Sequence, residues 1–265
     1  MLHGGSPPMR TGFDVSAWHN SQVQEKEMPE RILTLRELNR THLRRQHLLE
    51  RTPISTGDML RAIVGLQAQE VKDPYLALWS RIEGLQHDYL ADMLLNRSAV
   101  RASLMRGTIH LVTAEDYLLL FPITYALHLR AVKSVASARL VPSEHHQKIT
   151  EFSRELLTGT SLTAAKLGEA LAEHWPQYDP RSLSQVVRFL LPLVQTPPRG
   201  VWGSGISSRP SWTMPHDWLN TDVQEAAGPA HEMIRRYLRA FGPASLPDIT
   251  AWSGVTNLKQ LRQQA

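Results

Sequence analysis

The sequence predicts a mainly α fold with small β wings, arranged as tandem winged-helix (helix-turn-helix) units of which the third is incomplete. Three observations carry this. Apolar residues recur at helical spacing over several short stretches from Leu35 onward. The period then changes to alternation in Val100–Met105 and Thr108–Val112, around the turn pair Arg106-Gly107, which reads as a hairpin. The order helix, helix, helix, hairpin then recurs downstream. On this reading residues 1–30 are a disordered extension, 31–135 a first winged-helix unit, 136–220 a second, and 221–265 the start of a truncated third.

Each element has a local reason. Met1 to Glu30 is rich in Gly, Ser and Pro and lacks the apolar core of a signal peptide. Thr34-Leu35-Arg36-Glu37 reads as a capping box opening a helix that runs towards Glu50. After a break at Thr52-Pro53, Thr56 is placed to cap a helix with the stripe Met59, Leu60, Ile63 and Val64, ending near Gly65. Asp73-Pro74 suits another helix start. Asp88 to Arg97 is the next helix, and the hairpin follows. In the second unit, Glu144–Leu157 is helical, Thr163 caps Ala164–Trp175, and Ser182 is placed to cap a third helix bearing Val186, Phe189, Leu190 and Leu193. Pro197-Pro198-Arg199-Gly200 turns the chain, with Val201-Trp202 and Trp212-Thr213-Met214 as expected wing strands. Val223–Phe241, Ser245–Ser253 and a helix from Thr256 to Gln264 open the third unit. Trp79 and Trp252 lie in apolar helical patterns and read as core residues.

Composition narrows the function. The 265 residues carry 29 Lys and Arg against 25 Asp and Glu, a net charge of +4 that permits a polyanionic partner without requiring one. Arginines concentrate between Arg31 and Arg51, including Arg36, Arg40, Arg44 and Arg45, and a guanidinium suits phosphate contact. A solvated helix face is the plain alternative. With no Cys, disulfides, thiolate catalysis and Cys-based metal sites are excluded, which fits a cytoplasmic location. No apolar run approaches the roughly 20 residues that cross a bilayer. No phosphate-binding Gly-rich loop, His-Glu-x-x-His pattern or Gly-x-Ser-x-Gly elbow is present, so no metal, nucleotide or other cofactor is expected.

Several stretches resemble the AlkZ-like DNA glycosylases. They are Leu33–Arg40, Gly65-Leu66-Gln67-Ala68-Gln69-Glu70, Asp73–Arg81, Leu104–Val112, Gln195–Gly203 and Tyr237–Ala244, in that order along the chain. The resemblance implies tandem winged-helix units forming a concave basic surface for double-stranded DNA, closed by a C-terminal β domain that has no counterpart before Ala265. It implies hydrolysis of the N-glycosidic bond of bulky N7-alkylated purines, including interstrand crosslinks, by a monomer. It also implies a catalytic motif of Gln, an apolar residue, then Gln or Asp, which falls on Gln67, Ala68 and Gln69.

The chemistry suits two amides. An N7-alkylated purine is already cationic and departs as a neutral base, so positive charge gathers on the sugar, as in glycoside hydrolysis. The protein must then hold a water and face the cation with a negative dipole, which a Gln carbonyl can do. This requires an extended segment, where residues i and i+2 share a side; on a helix Gln67 and Gln69 would diverge. Spacing alone equally fits a polar loop ending the second helix. At the hairpin, Arg106, Thr108 and His110 are candidate DNA contacts, with ordinary turn chemistry as the alternative. Arg40, Arg44, Arg45 and Arg199 are candidate backbone contacts. A non-catalytic winged-helix regulator, reading DNA with the helix from Ser182, is the alternative function, and an inactive truncated relative a third.

Overall fold

The computed structural model describes residues 32–203, 205–223, 230–256 and 258. The expected extension over residues 1–30, and most of the expected helix Thr256–Gln264, lie outside the described residues. The chain divides into Met1–Thr34 and Leu35–Ala265. In the first part only Ile32–Thr34 are described, without regular structure. The second part holds the fold.

That part begins with α1 (Leu35–Arg45) and α2 (Thr56–Ala62), followed by the two-residue strand β1 (Leu66–Gln67) and by α3 (Asp73–Trp79) and α4 (His87–Leu95). The cap of α2 is Ser55, whose hydroxyl accepts from the Asp58 N–H, and not Thr56, which is buried as the first helical residue. The foreseen hairpin is β2 (Ala99–Ser103) and β3 (Ile109–Thr113), with Arg106 and Gly107 at its tip in left-handed backbone, φ 55° and 68°. The 21-residue α5 (Ala114–Ser134) follows, a helix the sequence pattern did not announce. Thr113 caps it through the Asp116 N–H, and Glu115 and Asp116 favour its positive end.

The second half contains α6 (Ala136–Arg139), α7 (His146–Leu157), β4 (Leu162–Thr163), α8 (Ala164–His174) and α9 (Pro180–Leu190). Thr163 caps α8 as expected. The cap of α9 is Asp179, accepting from Arg181 and Ser182 N–H groups, so Ser182 lies inside the helix, buried. The strands that follow are β5 (Val194–Thr196) and β6 (Ser211–Thr213), so the expected strand at Val201-Trp202 is displaced to Val194–Thr196. Short α10 (Pro215–Leu219), α11 (Ala230–Phe241) and α12 (Leu246–Ser253) complete the described elements. Ser245 and Asp248 form a full capping box on α12.

Among the described residues the six strands form one antiparallel sheet in the order β1-β3-β2-β5-β6-β4. The hairpin of the first half and the strands of the second are joined by β2 against β5, with Arg101 opposite Gln195 and Ala102 opposite Val194. Strand alternation divides the core between the two faces. Val100, Ala102, Val112 and Val194 face α5 and the α11–α12 pair, packing with Tyr117, Leu120, Met233 and Ile249. Ala99 and Leu111 pack on Met59, Leu60, Tyr75 and Leu90 of α2–α4. Trp212 packs among Leu167, Leu183 and Val187 of α8 and α9. α9 buries Ser182, Leu183, Ser184, Val186 and Val187, and of its residues Arg181 alone is exposed, so it presents little surface for reading DNA. Trp79 is no core residue: it is 55% exposed beneath the Arg51 guanidinium, 3.7 Å from the ring centre. Trp252 packs on Tyr237 and Phe241. Among the described residues no helix is long and apolar enough to cross a membrane.

Candidate active site

The segment Gly65–Gln69 is shaped from both ends. Val64 (φ 58°) and Gly65 (φ 81°) turn the chain out of α2 in left-handed backbone. A Cβ on Gly65 would stand 2.4 Å from Val112 Cγ1 and 2.9 Å from the Leu111 carbonyl, so only glycine lets β1 lie this close to β3. In β1, Leu66 pairs with Leu111 and Gln67 with His110. The ladder continues one residue further, where the Ala68 N–H donates to the Ile109 carbonyl at 2.7 Å. Ala68 is fully buried while Gln67 and Gln69 are exposed. The segment is therefore extended, as a shared side for the two amides requires.

Arg101 fastens the middle of the segment from below. Its Nη2 donates to the Ala68 carbonyl at 2.6 Å and its Nε to Gln195 Oε1 at 3.1 Å. It is 2% exposed. Burial, aided by the nearby Arg199 charge, lowers its pKa to about 10. Gly200 (φ 88°) makes room, since a Cβ there would meet Arg101 Cδ at 2.9 Å. The sequence reading missed Arg101. Its one signal was a charge set in the apolar run Val100–Ala102.

Both glutamine carbonyls are held. Gln67 Oε1 accepts from Arg106 Nη2 at 3.5 Å, and Gln69 Oε1 from the Ile109 N–H at 3.4 Å. Each keeps a second lone pair for another donor. Arg106 also donates to the Trp252 carbonyl, which ties the hairpin tip to α12. Thr108 Oγ1 donates to the Met105 carbonyl within the turn. His110 Nδ1 lies 2.9 Å from the Thr108 carbonyl, which can only accept, so the ring proton sits on Nδ1. Burial pushes the His110 pKa down to about 4; the Thr108 contact opposes this and the Arg106 charge adds to it. Gln67, Arg106 and His110 border a crevice of about 150 Å³ together with Gln46 and Arg81. Gln69 borders a second crevice, of about 320 Å³, between the hairpin and α9.

The structure thus gathers Gln67, Gln69, Arg106, Thr108 and His110 around one sheet edge. The other arginines divide. Arg40 and Arg44 are exposed on α1. Arg45 donates to the Leu238 and Arg239 carbonyls (2.7 and 3.4 Å), stapling α1 to the end of α11, rather than presenting its guanidinium outward. It also borders a groove with Arg61, Arg235, Arg236 and Arg239. Arg199 turns into its own loop and donates to the Ser208 carbonyl at 2.7 Å, so it is less available for DNA than the sequence suggested. Among the described residues no three His, Asp or Glu side chains come together to hold a metal ion.

The model of the family AlkZ-like, described as DNA glycosylase AlkZ-like, matches residues 60–265. No curated protein matches the chain. Among solved structures, the Streptomyces sahachiroi DNA glycosylase AlkZ is similar in fold, with a TM-score of 0.69 and 23% sequence identity. The match covers 88% of the present chain and 64% of that one.

Proposed function

The chain belongs to the AlkZ-like DNA glycosylase family, and from that premise we propose that it hydrolyses the N-glycosidic bond of bulky N7-alkylated purines in double-stranded DNA, interstrand crosslinks included. The observation that carries the reading is the extended Gln67-Ala68-Gln69 segment, whose buried centre leaves both amides exposed. Gln67 and Gln69 orient one water at the anomeric carbon with their remaining carbonyl lone pairs. The same dipoles face the cationic sugar as the neutral base departs. No general base is needed to expel a base that is already charged. His110 is neutral at physiological pH, so it adds no positive charge to that of Arg106, whose guanidinium donates to Gln67 Oε1. Arg106 and Thr108 at the hairpin tip, with Arg40 and Arg44 on α1, contact the DNA backbone. Residues 31–135 and 136–220 act as two winged-helix units sharing one sheet.

A crosslinked base is tethered to both strands and resists full extrusion, so an open surface serves better than a closed base pocket. The test is direct. Duplex carrying N7-methylguanine or a bulkier N7 adduct is incubated with the protein, and abasic sites are scored by strand cleavage in alkali. Wild type should yield them, and the double variant Gln67→Ala, Gln69→Ala should lose about 10²–10³-fold in rate. Binding without base release by the wild type would overturn the reading.

A further inference from the structure

The end of α1 brings a third glutamine to the crevice that Gln67 borders. This helix closes in a Schellman turn: the His47 N–H donates to the Arg44 carbonyl at 3.0 Å and the Leu48 N–H to the Leu43 carbonyl at 2.8 Å. His47 takes the left-handed position of that turn, φ 55°, where glycine is the usual residue. The turn is tied down on both sides. The Arg45 guanidinium donates to the Leu238 carbonyl of α11 at 2.7 Å. His47 Nδ1 and Thr52 Oγ1 share a hydrogen bond of 3.1 Å, and the Thr52 N–H donates to the Arg81 carbonyl at 2.8 Å. Gln46 stands between these anchors, half-buried, and its amide makes no hydrogen bond among the described residues. Arg45 and His47 border the arginine groove, whereas Gln46 borders the crevice of about 150 Å³ with Gln67 and Arg106. That space has room for several water molecules.

We propose that Gln46 is a positioning residue for the attacking water. A water molecule has four hydrogen-bonding directions. On the glycosylase reading above, on which this inference rests, two of them are donations to the Gln67 and Gln69 carbonyls. The Gln46 Nε2–H donates to one oxygen lone pair, and the remaining lone pair is then aimed at the anomeric carbon. The bonds exchanged stay the same. C1′–N9 breaks with its electron pair on the purine, the water oxygen bonds to C1′, and the surplus proton passes to solvent. A neutral carboxamide suits this place. Arg81 and Arg106 also border the crevice, and a third guanidinium would add charge beside the cationic sugar. Gln46 precedes residues 60–265, over which the family model matches, so that match does not assign it.

The experiment uses duplex carrying N7-methylguanine under single-turnover conditions, with methanol added as a competing nucleophile. Free N7-methylguanine, measured by chromatography, gives total base release. Strand cleavage in alkali counts only the strands captured by water, because a methyl glycoside at C1′ cannot open to the aldehyde. Wild type is compared with Gln46→Met, which keeps the length and loses the donor, and with the shorter Gln46→Ala. Melting temperature checks the fold of each. Base release should fall about tenfold in both variants, and the share of strands captured by methanol should rise severalfold as the water loosens. Release at the wild-type rate overturns the proposal. So does slower release with an unchanged methanol share, which is what a purely structural role would give. If wild type releases no base, the glycosylase reading has failed and this inference falls with it; release by wild type that the variants match sinks the inference alone.

Discussion

At Ala68 the neighbours on either side and the partner beneath have opposite relations to stability. Gln67 and Gln69 are exposed, so replacing either with Ala should change unfolding free energy by no more than about 0.5 kcal/mol in urea titration. Arg101 differs. Arg101→Met removes the donors to the Ala68 carbonyl and Gln195 Oε1 while leaving both acceptors buried. It should cost roughly 2–4 kcal/mol, partly offset by relief of a buried charge, and base release should fall as the segment loosens. Arg101→Lys keeps the charge but lacks the fork that reaches both acceptors, so it should restore little of the lost rate. A rate equal to wild type in folded Arg101→Met would show that the anchor is idle. The glutamine pair came from the resemblance to a family motif, since spacing alone also fits a polar loop; the structure adds that both residues are exposed on either side of buried Ala68. Arg101 was not legible in the sequence, because its importance comes from strand register and burial, which no local pattern encodes.

At the scale of elements, the join between α2 and β1 sets where the amides stand. Gly65→Ala forces a Cβ into Val112 and the Leu111 carbonyl in left-handed backbone. It should destabilise by more than about 1–2 kcal/mol and lower base release further than stability alone explains, since β1 must shift. Thermal melting together with single-turnover rates on the same preparation checks both. Removing the α9 cap, Asp179→Ala, should cost about 1 kcal/mol and leave base release unchanged. The helix starts at α3 and α8 and the hairpin were legible, because Asp-Pro, a capping Thr and the change of period are local signals. The caps of α2 and α9 were misplaced because Ser55 stands beside Thr56 and Asp179 stands before Ser182; either side chain can accept, and the fold chooses. The helix α5 escaped notice because apolar Leu118, Leu119, Ala126 and Leu129 lie off its buried stripe of Tyr117, Leu120, Phe121, Thr124 and His128, so the two faces contrast little. Its internal Pro122 also reads as a stop.

At the scale of the molecule, the pairing of β2 with β5 makes one sheet of strands from both halves. The expected result in scanning calorimetry is a single cooperative transition rather than two. Its position should depend on acid. His110 and His128 have pKa values of about 4 against an ordinary 6.5, so the unfolded chain binds protons first as pH falls. Their contribution is complete above about pH 6.5 and fades towards pH 4, by up to roughly 3 kcal/mol each. His128→Leu should flatten the fall in melting temperature across that window; an unaltered slope would mean the imidazole is not held neutral. The succession of elements was legible in the sequence, but the β2–β5 seam was not, since non-local pairing leaves no trace in periodicity. The border position of β1 has its own consequence. A two-residue margin contributes little to the interior, so Gln67 on it and Gln69 just beyond it are open to replacement by other polar groups while the scaffold persists. Reactivity in this architecture can therefore drift towards new leaving groups without each step having to rebuild the protein that carries it.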